Sequence, residues 1–362
     1  MEDNFRNYVS QWLSIQPTLF PMLEDELGEL DESDREFVNV CTIVGDKADF
    51  AKYRWKGNGH PPTSRRAVFR LLLLKALRNL PTTNAAIELV RSSPKYRRLC
   101  GWEHLSQVPD KSTVSRVFKE FSEDASISSI LTDLVSGALG RNGAFHMCHD
   151  STAVEAREKG QRIAQSEDEK AENALEKQRK RTADENFALL PRHCDWGCKC
   201  DSKGKKMMWK GYKLHVCCTD GDIPVAAFLS SANLHDAKVM IPLMQKASES
   251  FDYFYDLADA GYDAAQIRTA SAELNHVPII DRNPRRGEKN VDDVGGRTVN
   301  IVDATTRRYF ARSGIERVFS HLHDSHGGKC VRVRGAAKVF LHLMFGLLVI
   351  AGEQLLSAMA RT

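Results

Sequence analysis

The sequence predicts an α/β protein, with a mixed sheet flanked by helices and an all-helical segment before it. Three observations carry this. From Ala144 onward, short runs rich in β-branched and aromatic residues, each stopped by Gly or Asp, alternate with helical periodicity. Before that point apolar residues recur at helical spacing, and cap residues and prolines divide them into short helices. At 362 residues, with 42% apolar and 27% charged side chains, the chain can support two domains of ordinary globular composition. The expected division is a helical part over 1–140 and a sheet part over 141–362, with a charged insertion at 153–206.

In order, the first elements are helices at Phe5–Leu13 and Asp34–Val44 around an acidic turn. A Gly- and Pro-rich loop follows, W-K-G-N-G-H-P-P-T-S-R-R, and Thr63 or Ser64 caps a helix over Arg65–Leu80. Asn84 is expected to cap Ala85–Arg91, Ser93 with Pro94 to open the next helix, and Asp110 or Ser112 to cap Thr113–Phe121. Short helices with a cationic surface resemble a helix-turn-helix. In its last helix Lys111, Arg116 and Lys119 are available to phosphates.

The sheet begins with A-F-H-M-C-H-D-S-T, read as a strand that stops at Asp150. Residues 155–190 carry many charges and few large apolar side chains, which predicts a solvent-exposed helical excursion. A hairpin follows, with strands at Met207–Cys218 and Pro224–Ser231 about an Asp220-Gly221 turn. Asn233 or Asp236 caps a helix to Ala247. Next come a strand that ends at Asp259 and Gly261, a helix capped by Asp263, and the short strand V-P-I-I-D. The last helix, Ala336–Ala360, is apolar nearly all round and is expected to lie buried against the sheet. Its uncharged run, Val339 to Gly352, is fourteen residues, short of the roughly 20 that span a bilayer.

Charge is unevenly placed. Residues 1–50 carry a net −9, residues 51–124 a net +9, and residues 281–338 thirteen basic against seven acidic side chains. Two basic blocks behind an acidic head suit a polyanionic partner. Nine cysteines, an odd number without secreted-type spacing, predict a reduced, cytoplasmic protein.

The chemistry centres on Arg308–Gly328. Wound as a helix, Tyr309, Arg312, Glu316 and His323 share an arc of about 60°, beside an apolar stripe of Ile315, Val318, Phe319 and Leu322. A solvated face next to a core stripe is the ordinary reading of such a helix. Here a carboxylate among cations lies downstream of two aspartates at strand ends, where open α/β sheets collect their sites. Asp150, Asp259 and Glu316, drawn from separate elements, are therefore candidates to hold two divalent ions about 3.5–4 Å apart for phosphodiester chemistry. Each also has a local use: Asp150 in a turn, Asp259 as a cap, Glu316 as a partner of Arg312 or Arg317. Asp256 and Asp324 are the nearest competitors, and the odd spacing of Asp256 from Asp259 turns it to the opposite strand face.

The blocks H-D-S-T, K-G-Y-K-L-H, S-S-A-N-L-H-D, D-L-A-D-A-G-Y-D and R-S-G-I-E-R-V-F-S resemble insertion-sequence transposases of the acidic-triad (DDE) class. The likeness reaches back to P-D-K-S-T-V-S-R and covers most of residues 60–355. The signature of one branch, Tyr-x-x-Arg-x-x-x-Glu with Lys seven residues later, maps onto Tyr309, Arg312 and Glu316, with His323 in the lysine position. The resemblance implies a ribonuclease-H-like fold in which Asp150, Asp259 and Glu316 bind two Mg²⁺ (Mn²⁺ substituting). It also implies cleavage at the element's terminal inverted repeats, strand transfer into target DNA, a homodimer on DNA and a place at the nucleoid. A silent DNA-binding derivative and a nuclease without strand transfer are the alternatives.

Tyr309, Arg312 and His323, with Lys205, Lys206, Trp209 and Lys213 of the hairpin, are candidate DNA contacts; strand packing is the alternative for Trp209. His193, Cys194, Cys198 and Cys200 offer four zinc ligands, but in a spacing that matches no common zinc knuckle.

Overall fold

The computed structural model describes residues 29–45, 62–161, 163, 174–200, 205–281 and 308–360. The helix expected at Phe5–Leu13 and the basic loop at 282–290 lie outside the described residues.

The helical part comprises α1 (Glu32–Gly45), α2 (Arg65–Leu77), α3 (Thr83–Ser92), α4 (Pro94–Cys100), α5 (Lys111–Ser122) and α6 (Ile130–Leu139). Its caps follow the sequence with two changes. One is at α5, which starts at Lys111 behind Asp110, while the Asp110 carboxylate accepts from Arg91 rather than from the helix. The hydroxyl of Ser64 accepts from Ala67 N and that of Ser93 from Tyr96 N, but Thr82, not Asn84, caps α3 by accepting from Ala85 N. A threonine in extended conformation directly before the helix satisfies an otherwise orphaned N–H, so the helix starts two residues early.

The sheet part contains β1 (His146–Glu155), α7 (Ala174–Arg179), α8 (Ala183–Leu189), β2 (Asp195–Cys200), β3 (Lys206–Thr219) and β4 (Pro224–Ser231). It continues with α9 (Ala237–Ser248), β5 (Tyr255–Ala258), α10 (Ala265–Glu273), β6 (Val277–Ile280), α11 (Ser313–Asp324) and α12 (Ala336–Met359). The strands form one mixed sheet in the order β2-β3-β1-β5-β6, with β4 also paired to β3. β1, β2 and β4 run antiparallel to β3, whereas β1, β5 and β6 are parallel.

Four expectations change, the smallest being that Ala264, not Asp263, stands in the cap position of α10, and Asp263 pairs with Arg268 instead. Asp150 does not end its strand: β1 continues to Glu155 because its second half stays paired with β3. The β1–β5 register covers only His146–Cys148, however, so Asp150 still lies just beyond the carboxyl end of the parallel pair. The cysteine-bearing segment is a strand, β2, paired with the first half of β3. Gly197 makes this pairing possible, since a Cβ there would stand 2.4 Å from the Trp209 ring. The charged excursion is partly docked rather than wholly solvated, and polar side chains dock it. Gln178 Nε2 donates to Lys238 O (2.8 Å), and Asn186 Nδ2 donates to Gln178 O (2.9 Å) and Gln245 Oε1 (3.1 Å). Periodicity of apolar residues cannot show this kind of burial.

α12 is the organising core helix. It packs on α1, α2, α5 and α6 as well as on β4 and α11, so the helical part and the sheet share one apolar core. Among the described residues it is the one helix long and apolar enough to cross a membrane, and 83% of its most apolar window is buried in the fold. Gly346 lets α11 come close, because a Cβ there would meet Leu322 Cδ1 at 2.5 Å and His326 O at 2.8 Å. α11 is thereby held over β1 and β3 with its first turn next to Asp150.

Candidate active site

Asp150 projects from the middle of β1 with its side chain 14% exposed. Its Oδ1 accepts from Ser151 N at 2.7 Å. Burial pushes the carboxyl up to about 6; the Ser151 N–H opposes this, the Asp259 carboxylate adds to it, and Lys199 and Arg312 oppose it. Two carboxylates are thus gathered just beyond the carboxyl end of the β1–β5 pairing at an electrostatic cost. Asp259 follows β5 directly and accepts from Gly261 N at 2.9 Å, so it caps the short turn Ala260–Tyr262 while its charge acts on Asp150.

Glu316 lies in the first turn of α11, 58% exposed. A 3-10 turn, Phe310–Arg312, leads into this helix and is tied to β1 by the Cys148 thiol, which reaches Ala311 O at 3.4 Å. Arg312 Nη2 donates to Glu316 Oε1 at 2.7 Å, and its Nη1 stands 3.6 Å from Asp150 Oδ2. The guanidinium therefore joins two of the three expected acids. With Glu316 drawn to Arg312, the oxygens of Asp150, Asp259 and Glu316 are not all within 4.8 Å of one another. Arg317 does not compete for Glu316; it pairs with Asp222 in the β3–β4 turn.

The donor set fits a hard divalent cation. All three groups are carboxylates, and one is desolvated under the charge of another, an arrangement that a bound cation relieves.

Asp256 takes no part. Fully buried on the opposite face, it accepts from Tyr253 Oη (2.9 Å) and Ser271 Oγ (2.6 Å) and pairs with His149 Nε2 (3.0 Å) and His276 Nδ1 (3.1 Å). Asp324 pairs with Lys329 at the far end of α11.

The expected DNA contacts separate into outward and inward groups. Lys111, Arg116, Lys119, Lys205 and Lys206 are exposed. Trp209 is 7% exposed and donates to Tyr212 O, and Lys213 is held by Leu234 O (2.7 Å) and Asp236 (3.0 Å). Both are committed to packing. Tyr309 donates to Asp281 and stacks near Arg312, whose guanidinium carbon is 5.7 Å from its ring. His323 Nε2 is 2.9 Å from Thr152 Oγ1, and burial, with Lys329 nearby, lowers its pKa from the ordinary imidazole value. The sequence-level zinc candidates do not converge among the described residues. Cys194 is buried, Cys198 is exposed, His193 leans toward Asp195 at 3.7 Å, and the side chain of Cys200 lies outside the described residues.

Two neighbours of the site escaped the sequence reading. Asp236 faces Lys213, Ser151 and buried His215, and together with Asp150 and Asp259 it raises the hydroxyl pKa of Tyr262, after burial. Lys199 of β2 acts on Asp150. The signal for Asp236 was available: it closes the block S-S-A-N-L-H-D, whose partner Lys213 lies in K-G-Y-K-L-H.

A family model described as "Transposase DDE domain" matches residues 143–351, more than half of the chain, and one described as "Transposase domain (DUF772)" matches residues 26–120. No curated protein and no solved structure matches the chain. The first match carries a ribonuclease-H-like fold, which the mixed sheet and its flanking helices accord with, and a DNA-binding function that uses divalent metal ions. The chain belongs to the insertion-sequence transposases of the DDE class, DNA transposases with a helical part before the catalytic domain.

Proposed function

We propose that Asp150, Asp259 and Glu316 form the acidic triad and hold two Mg²⁺, with Mn²⁺ able to substitute. The observation that carries this reading is the desolvated Asp150 under the charge of Asp259, both just beyond the carboxyl end of the β1–β5 pairing, with Glu316 one guanidinium away. When bound, the ions supply an activated oxygen nucleophile and stabilise the leaving oxygen. Asp150 and Asp259 fix one side of the scissile phosphate, and Glu316 closes the other when it leaves Arg312. Arg312, freed at the same moment, is placed to take a phosphate oxygen. Ser151 N–H keeps Asp150 in one rotamer, and Gly261 N–H does the same for Asp259.

In this reading water cleaves the DNA at the element's terminal inverted repeats, and the freed 3′-hydroxyl attacks target DNA. Lys205 and Lys206 of the hairpin, and Lys111, Arg116 and Lys119 of α5, contact phosphates, and two copies act together because two ends must be joined. The work takes place in the cytoplasm, at the nucleoid. Incubation with cloned element ends, a target plasmid and Mg²⁺ or Mn²⁺ tests this. Joined products that require the metal are expected. Hydrolysed ends without joining would leave a nuclease, and retained DNA without cleavage would leave a binding protein.

A further inference from the structure

Away from the triad, at the other end of α11, three potential ligands come together. His321 lies in the last turn of the helix, His326 in the loop after it, and Glu353 on α12; one ligand atom from each lies within 4.8 Å of the others. Among the described residues no other group of three His, Cys, Asp or Glu side chains meets this condition. Glu36 of α1 lines the groove that reaches Glu353, so a further carboxylate is close by.

The simple reading is a hydrogen bond between His326 Nε2 and Glu353 Oε2, which are 3.2 Å apart. Two features go beyond it. His326 is 4% exposed and its Nε2 is already turned to Glu353, so packing fixes the nitrogen that would take an ion, while the buried Nδ1, which has no hydrogen-bond partner, is not the ligand atom. The 3.2 Å separation also matches the edge of a tetrahedron whose ligand bonds are about 2.0–2.1 Å. His321, exposed on the same side, supplies a third donor with little movement.

We propose that His321, His326 and Glu353 form a binding site for one transition-metal ion of the zinc class. Two imidazoles and one carboxylate are a borderline donor set, which selects Zn²⁺, Co²⁺ or Ni²⁺ over the Mg²⁺ suited to an all-carboxylate triad. Three protein ligands leave one position for water or for Glu36. The ion joins the end of α11 to α12, and Glu316 sits on the same helix five residues before His321. It is a structural clamp on the helix that carries the third catalytic acid.

The test uses untagged full-length protein stripped of metal and titrated with Zn²⁺ or Co²⁺. One tight equivalent per chain is expected, and a rise in melting temperature of roughly 5 °C at a hundredfold excess over Kd. Bound Co²⁺ should show weak visible bands without an intense thiolate charge-transfer band. His321→Ala, a change at an exposed position, should weaken binding tenfold or more, and Glu353→Gln should do the same. Cys198→Ser should leave binding unchanged. The proposal is overturned if binding is absent, if His321→Ala binds like the unmodified chain, or if Co²⁺ shows a strong thiolate band that disappears in Cys198→Ser.

Discussion

Arg312 Nη1 lies 3.6 Å from Asp150 Oδ2, while the same guanidinium holds Glu316 at 2.7 Å. One cation thus links a residue of β1 to a residue of α11 that is 166 positions away in the chain. It also counts among the groups that keep the Asp150 pKa from rising further.

Arg312→Ala should therefore act on both acids. Removing a nearby cation favours the protonated carboxyl, so the acid limb of the cleavage–pH profile should move to higher pH. Cleavage at its optimum should fall about 100-fold, as for loss of one charge-stabilising donor. Arg312→Lys should restore the pH limb more fully than the rate, because lysine keeps the charge but not the fork that reaches two acids. An unchanged pH limb in the alanine variant would remove Arg312 from this role.

Asp150 is strained electrostatically in the absence of metal, and this can be measured as stability. Its folded pKa, about 6, is above the ordinary value of 3.8. Folding therefore disfavours the ionised form, a cost absent below the ordinary value and complete above about pH 6. Asp150→Asn should stabilise the metal-free protein by about 2 kcal/mol at pH 7.5, and the gain should vanish toward pH 4. Urea denaturation at both pH values checks this.

The buried Asp256 should behave in the opposite way. Burial raises its pKa, but hydrogen bonds from His149 and His276 more than offset that and hold the carboxyl well below the usual range. Its stabilising contribution is therefore present above the ordinary carboxylate value and lost only when pH falls through the much lower folded value. Asp256→Ala should cost about 3–5 kcal/mol at every pH between 5 and 8, since it leaves two buried imidazoles without their partner. A cost below 1 kcal/mol by denaturant titration would contradict the network.

The exposed cations of α5 predict a salt signature. Replacing Lys111, Arg116 and Lys119 by alanine should weaken binding to element-end DNA. It should also reduce the slope of log K against log salt by roughly two to three, close to 0.9 for each lost phosphate contact. A triple variant with the original slope would place the DNA elsewhere.

Much of this was legible in the chain because the informative residues are local. β4 appears at its expected boundaries, Pro224–Ser231, since a turn and an uncharged, mostly apolar run define it. The proposed triad stands out in the sequence because each acid belongs to a short motif of its own, H-D-S-T, D-L-A-D-A-G-Y-D and R-S-G-I-E-R. The odd spacing of Asp256 from Asp259 likewise separated the buried carboxylate from the proposed ligand. What could not be read depends on distant partners. Trp209 looked like a stacking platform until Gly197 of β2 proved to cover it, and Lys213 looked free until Asp236 claimed it. His321, His326 and Glu353 share no motif; only the packing of α11 against α12 brings them together.

The most direct test of the triad is single-turnover cleavage of a labelled element end by Asp259→Ala in Mg²⁺, with band retardation run in parallel. The account predicts full retardation and no nicking above the metal-free background. Magnesium-dependent nicking at the unmodified rate would contradict it, because Asp259 could not then be a ligand of the catalytic ions.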